Sequence, residues 1–241
     1  MSGRFDLSGE RILVTGAASG IGAAAARVCA SLGAELLLLD RDDCRAAAEA
    51  VVAAGGRARA WQADVSDRAA IERIAAEAGR VDALVASAAL CPWDDWQDEG
   101  WDAVFQRVMA VNLLGPLHCA RALLPGMIER RHGRIVLVGS LAGRMGGLIA
   151  GPHYVASKGG LHALVKWLAR KAAPHVLVNG VAPASVATAM MQGQPVDLAR
   201  IPLGRMADAD EVAWPIAFLC SAAASYVAGT VLDVNGGVYM S

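Results

Sequence analysis

Ile12-Leu-Val14-Thr15-Gly-Ala-Ala-Ser-Gly-Ile-Gly22 decides the fold. An apolar run leads into a glycine-rich turn and then an alanine-rich helical stretch, which reads as strand, turn, helix. Glycines at 16, 20 and 22 permit positive φ and close backbone approach, so the first-turn amides can face a pyrophosphate at the positive end of the helix. The spacing is G-x-x-x-G-x-G, a departure from the commoner G-x-G-x-x-G dinucleotide fingerprint. Alone, such a turn is as often structural as ligand-binding. Its position after the first strand favours a dinucleotide.

Outward from this unit, strands and helices alternate, with no linker, repeat array or low-complexity segment to mark a boundary, so one domain over 1–241 is expected. The patterns predict strands at residues 11–14, 35–39, 57–62, 83–85, 134–138, 176–181 and 231–234. They are short and mostly apolar, as strands buried on both faces should be. Helices are predicted at 21–32, 45–53, 68–78, 101–124, 154–173 and 211–219. Regular alternation implies an α/β fold: a doubly wound parallel sheet of about seven strands, helices on both faces and right-handed crossovers. Ligands in such sheets bind outside the carboxyl ends of the strands.

Composition narrows the function. The chain is 55% hydrophobic with 26 glycines, enough to bury a full core. A net charge of -1 gives no electrostatic case for nucleic acid or an anionic membrane. The start, Met-Ser-Gly-Arg-Phe-Asp, lacks the apolar run of a signal peptide, and no uninterrupted apolar stretch reads as long enough to span a bilayer. A cytoplasmic protein is expected. Five cysteines, at 29, 44, 91, 119 and 220, are widely spaced without a C-x-x-C pair, which points to core residues and to no metal site.

The chemistry concentrates in Tyr154-Val-Ala-Ser157-Lys158, which puts a phenol and an ammonium on one helix face. A cation ~4 Å from the phenol stabilises the phenolate by ~4 kcal/mol at an effective dielectric of ~20, about three pKa units. That would poise Tyr154 near neutrality, where acid-base catalysis works best. Y-x-x-x-K by itself is most often an ordinary surface pair.

Taken in order, the T-G-x-x-x-G-I-G turn at 15 to 22, Asp64-Val65, Asn112, Ser140, Tyr154 with Lys158, and Asn179-Gly-Val-Ala-Pro183 resemble the short-chain dehydrogenase/reductase family in its compact form. The resemblance covers nearly the whole chain and implies a Rossmann fold. Two departures stand out: Ala86-Ser-Ala-Ala89 replaces the family's usual Asn-Asn-Ala-Gly, and Pro183-Ala184 its usual Pro-Gly. The resemblance implies a nicotinamide cofactor contacted by Gly16, Ser19, Gly20, Ile21, Gly22, Asp64, Val65, Ser87, Tyr154, Lys158, Pro183, Val186 and Thr188. Asp64 would meet the adenine edge; an Asp after a strand is otherwise commonly a helix cap.

Asp40 bears on the choice of cofactor. A carboxylate there can accept from both ribose hydroxyls and repels a 2′-phosphate, so NAD is favoured over NADP. Arg41 beside it can clamp a 2′-phosphate, but Ala17, Ala18 and Ser19 offer no basic partner.

The catalytic set read this way is Asn112, Ser140, Tyr154 and Lys158. Tyr154 gives a proton to a carbonyl oxygen as hydride arrives at the carbon, or the reverse, with Ser140 bonding that oxygen. By resemblance, Lys158 lowers the Tyr154 pKa and holds the nicotinamide ribose. Asn112, also by resemblance, kinks its helix and holds a water in the proton relay.

Trp93, Trp96, Met190 and Met191 are candidates for an apolar substrate wall, equally readable as core or subunit packing. His153 precedes Tyr154 and can reach substrate or simply pack at a helix start. Arg144 can bind an acid group or belong to an ordinary loop. The reading is an NAD-dependent enzyme interconverting a small secondary alcohol, cyclic ones included, and its ketone. A 3-oxoacyl-carrier-protein reductase using NADPH and a non-catalytic dinucleotide-sensing regulator are the alternatives. By resemblance, and because helices 101–124 and 154–173 carry more apolar residues than one sheet face covers, a homotetramer is expected.

Overall fold

The run Glu35-Leu-Leu-Leu-Leu-Asp40 shows no polar alternation because neither of its faces meets water. Leu36 and Leu38 join a cluster on one side of the sheet, and Leu37 and Leu39 one on the other, all fully buried. At ~1.5–3 kcal/mol for each buried leucine, this one strand is a large part of the driving force for closing both layers. Ile12, Val14, Val136 and Val138 add to the first layer, and Leu13, Ile135 and Leu137 to the second.

The computed structural model describes residues 3–240. Met1 and Ser2, the first residues of the N-terminal stretch without a signal-like apolar run, lie outside them. The sheet comprises β1 (Arg11–Thr15), β2 (Glu35–Asp40), β3 (Arg57–Gln62), β4 (Ala83–Ala86), β5 (Gly133–Val138), β6 (Val176–Pro183) and β7 (Val231–Val234). Its order is β3-β2-β1-β4-β5-β6-β7, every ladder parallel. The winding direction reverses between β1 and β4, which opens a crevice at their carboxyl ends.

The helices are α1 (Gly20–Ser31), α2 (Arg45–Ala53), α3 (Arg68–Ala78), α4 (Trp101–Met109), α5 (Gly115–Glu129), α6 (Ala142–Met145), α7 (Pro152–Ala172) and α8 (Ala209–Cys220). Helices α1 and α8 contribute to the first core layer, and α3, α5 and α7 to the second. The doubly wound fold is as the alternation implied.

Two differences from the sequence reading matter. The expected helix at 101–124 runs on to Glu129 and is broken by a π-helical turn at Ala110–Leu114, centred on Asn112. The short helix α6 was not foreseen. The stretch Trp101–Glu129 also has the length and mean hydropathy, 1.2, of a helix able to cross a membrane, although it is not an uninterrupted apolar run. Arg107, Asn112 and Arg121 interrupt its apolar run, and here it packs on α3, α7 and the sheet.

At the amino ends of the strands, Glu10, Asp82 and His132 bring their ligand-type atoms within 4.8 Å of one another. These atoms are already engaged: Asp82 accepts from Arg80 and from the Arg11 backbone, and Glu10 pairs with His132. The group is a charge cluster tying three strand starts together.

Candidate active site

The crevice is a cleft of about 320 Å³ lined from the ends of the central strands. One end is the glycine turn. A Cβ on Gly22 would lie 2.0 Å from the Gly16 carbonyl oxygen, and one on Gly16, which has φ +70°, 2.8 Å from the Ala88 backbone. No side chain fits at either position, so the backbone of α1's first turn faces the cleft. Asp40 closes β2 against this turn, its carboxylate accepting from Ala18 N–H at 2.9 Å and Asp42 N–H at 3.0 Å. Thr15 accepts from Ser87 and Ala88 N–H, each at 3.2 Å. A hydroxyl thereby holds the turn after β4 where the Asn-Asn-Ala-Gly side chains are missing. Thr188 lies over Gly20, and Ser19, Ile21, Arg41, Asp64, Val65, Ser87, Pro183 and Val186 complete this end.

The other end holds Ser140, Tyr154 and Lys158. Lys158 is buried to 2% exposure and its Nζ donates to the Val138 carbonyl at 2.8 Å, 5.6 Å from the Tyr154 ring centre. Burial pushes this ammonium down to about 8. Tyr154 is raised well above its ordinary value, first by burial, then by the facing Cys91, against a smaller lowering by its hydrogen bond with Ser140. This corrects the expectation of a phenol poised near neutrality: the protein alone keeps Tyr154 a neutral acid, because desolvation outweighs its neighbours. Ser140 Oγ also accepts from Ala142 N–H at 3.1 Å.

The short chain dehydrogenase family model matches residues 10–198. The chain belongs to the short-chain dehydrogenase family. Relatives match along their whole length. A cis-4-hydroxycyclohexanecarboxylate dehydrogenase of Sinomonas cyclohexanicum is 40% identical over 239 residues, 95% of this chain and 96% of the relative. The 3-oxoacyl-[acyl-carrier-protein] reductase of Escherichia coli K12 is 36% identical over 98% and 100% of the two chains. Among solved structures, a candidate NAD(P)-dependent gluconate 5-dehydrogenase of Beutenbergia cavernae, with NADP at low occupancy, superposes with a TM-score of 0.92. It is 36% identical and covers 98% of this chain and 99% of its own.

In this short-chain dehydrogenase Asn112 is fully buried and sits in the π turn, the local helix distortion expected of it. Its amide pairs with both backbone groups of Leu90, at 2.8 and 2.9 Å, and donates to Ser157 Oγ at 3.1 Å. The side chain thus clamps the loop after β4 to α7.

The cleft also corrects several assignments. Trp93, Met190 and Met191 line it, whereas Trp96 does not and points its ring to solvent at 62% exposure. His153 is fully buried, bonded to Asp94 and stacked on Trp101, so it does not face substrate. Arg144 pairs with Asp233 at 3.0 Å and with the Val231 carbonyl, outside the cleft. Asp64 accepts from Ser66 and Arg107, which occupies much of the carboxylate read as an adenine contact.

Cys91, Arg107 and the apolar loop Leu148-Ile149-Ala150 line the cleft without having been singled out in the sequence. The two loops carry no periodic signal, Arg107 projects from α4, and only the closed sheet brings them together. His162 was missed too. Its ring lies against Gly139 and Gly143, and Nε2 accepts from Ser140 N–H at 3.4 Å. Burial, and then the charges of Arg144 and Lys158, push this imidazole down to about 4.

Because the unfolded chain binds a proton on His162 near pH 6.5 and the folded chain only near 4, stability rises with pH across that window. Urea midpoints should therefore fall as pH drops from 6.5 to 4, and His162→Leu should reduce the slope. Equal slopes in both proteins would show that this imidazole is not held neutral.

Proposed function

We propose that the chain is an NAD-dependent dehydrogenase acting on a compact, uncharged secondary alcohol or the matching ketone. The observation that carries this is one cleft with a glycine-turn cradle and Asp40 at one end, and Ser140, Tyr154 and Lys158 at the other. The cradle that Cβ atoms would fill fits a pyrophosphate, and Asp40 fits ribose hydroxyls. The cofactor, when bound, supplies or accepts the hydride. The protein's own part is to hold the reacting oxygen between Ser140 and Tyr154 and to move one proton at the Tyr154 hydroxyl. Lys158 adds positive charge beside that phenol and has donors left for the cofactor's ribose.

The substrate class follows from the wall. Trp93, Leu148, Ile149, Met190 and Met191 line the same cleft as Tyr154 and Lys158, and Arg107 is engaged by Asp64. Such a wall favours compact apolar rings over phosphorylated sugars or carrier-linked acyl chains. A relative named for cis-4-hydroxycyclohexanecarboxylate agrees with a cyclic secondary alcohol, and its carboxylate lies outside the uncharged class proposed here. Cytoplasmic location and a homotetramer remain part of this reading. Half-exposed Leu114 and Trp167 on the two long helical runs are the surface such an assembly would cover.

The test is a panel of cyclic and acyclic alcohols and ketones, a sugar and a 3-oxoacyl thioester, each with NAD(H) and NADP(H), followed by absorbance of the reduced cofactor. Turnover of small cyclic alcohols with NAD supports the reading. Selection for the thioester with NADPH overturns it, and a cofactor bound without any turnover points to the regulator.

Asp40 has its own expected result. Asp40→Ser should weaken NAD by ~1–3 kcal/mol, the range for hydrogen bonds to a charged group, while removing the repulsion of a 2′-phosphate. Loss of the Ala18 contact should loosen the turn for both cofactors. The informative quantity is the ratio of kcat/KM for NAD and NADP, expected to narrow. A wild type that already prefers NADP would make Arg41 the deciding residue.

A further inference from the structure

Asp94, His153 and Trp101 form a cluster directly behind Tyr154 that no step of the proposed reaction uses. His153 Nε2 lies 2.8 Å from Asp94 Oδ1, and Nδ1 accepts the Tyr154 backbone N–H at 2.7 Å. An acceptor at Nδ1 places the imidazole proton on Nε2, where Asp94 receives it. The ring stacks on Trp101 at 5.5 Å between centroids, and a Cβ on Gly151 would come within 2.8 Å of it. Glycine at 151 therefore makes room for the ring.

The cluster is poorly satisfied. Asp94 Oδ2 and Trp101 Nε1 are buried without a hydrogen-bond partner. Each such atom costs ~1–3 kcal/mol, so stability alone is a weak reason for keeping the group. Its position gives a better one. Trp93, the neighbour of Asp94, donates from Nε1 to the Met190 carbonyl at 3.2 Å. A continuous path runs from the segment carrying Met190, through Trp93 and Asp94, to His153 and the first turn of α7.

We propose that Asp94 and His153 are positioning residues that fix the substrate wall against Tyr154, so that a substrate packed on Trp93 meets the phenol in one register. This rests on the reading of Tyr154 as the proton-transfer group. The carboxylate selects the tautomer, the tautomer holds the Tyr154 backbone, and the loop carrying Asp94 sets Trp93. Losing the pair leaves the cofactor's contacts alone and lets the substrate drift relative to the phenol.

The test uses Asp94→Asn, Asp94→Ala and His153→Phe. Asparagine keeps the acceptor at Oδ1 that receives the His153 N–H, so its kinetics should follow the wild type, while its amide, unpartnered like Oδ2, is free to lower the melting temperature. Alanine strands the Nε2 proton, and phenylalanine keeps the stacked ring but neither hydrogen bond. Both should lose roughly 10- to 100-fold in kcat/KM, as expected for a displaced reacting group. Their NAD(H) dissociation constants should stay within about twofold of wild type.

Imidazole nitrogen shifts in histidine-labelled protein, assigned with His153→Phe, supply a readout independent of substrate. His153 should carry its proton on Nε2 in wild type and Asp94→Asn, and keep that form only in part in Asp94→Ala, where the Tyr154 N–H is its one remaining partner. A wild-type His153 protonated on Nδ1, or kinetics in all three variants matching wild type while only their melting temperatures fall, would overturn the proposal. A wild type inactive on the whole panel would fail the dehydrogenase reading instead, and the nitrogen shifts would still decide the tautomer.

Discussion

Tyr154→Phe is expected to remove ~10²- to 10⁴-fold of turnover, the usual contribution of a positioned acid-base group, while NAD(H) binding survives. The substitution deletes one oxygen from a ring packed in the cleft wall, so the fold loses little. The chemistry loses its proton. Burial holds the phenol well above its ordinary value, so at neutral pH it is present as the acid that reduction requires. In the oxidising direction the same group must first become a phenolate, which the Lys158 charge favours. Ketone reduction by the wild type should therefore lose little rate between pH 6 and 8, and the phenylalanine variant should be inactive across that range. Binding can be followed by quenching of tryptophan fluorescence on adding NADH. Near-normal turnover in the variant would remove Tyr154 from the mechanism.

The sequence was most legible where backbone periodicity carries the signal. Four consecutive leucines between Glu35 and Asp40, a run too short for a buried helix, read as a strand covered on both faces, and the glycines at 16, 20 and 22 mark the turn where the structure leaves no room for a Cβ at Gly16 and Gly22. Tyr154 and Lys158 are legible because helical spacing fixes which side chains share a face.

Loop side chains are not fixed in that way. Trp93 and Trp96 look alike in the sequence, yet one lines the cleft and the other faces water, since no repeat dictates where each points. His153 precedes the tyrosine, but a single helical step turns it away from the cleft and into the packed interior against Trp101.

Electrostatics failed for a different reason. The attraction between an ammonium and a phenolate can be estimated from spacing alone. The opposing cost of burying both groups depends on how deep the closed fold places them, and burial is the leading cause of both shifts.

That cost makes Lys158→Met the second variant with a large expected effect, and one where activity and stability should move differently. Methionine keeps most of the stem and removes the ammonium. Turnover should fall as far as in Tyr154→Phe, since the phenol loses its cation. Cofactor affinity should also drop by ~10-fold or more, at ~1.5–3 kcal/mol for hydrogen bonds to a charged group.

Stability should behave otherwise. Lowering the ammonium from 10.5 to about 8 corresponds to ~3 kcal/mol of penalty on the charged form in the folded protein. The folded chain releases this proton near pH 8 and the unfolded chain near 10.5, so the unfolded state binds more protons in between and stability rises with pH across the window. The methionine variant lacks that rise. At pH 7 it is freed of the buried charge but leaves the Val138 carbonyl without its donor, an offset of ~1–3 kcal/mol. Its urea midpoint at pH 7 should accordingly lie at or above the wild type's, and the wild type should overtake it as pH rises towards 10.5, where the neutral amine still donates to the Val138 carbonyl. A variant that is inactive and also markedly less stable at pH 7 would mean that Lys158 holds the fold together, and that its charge is not kept at the fold's expense for the reaction.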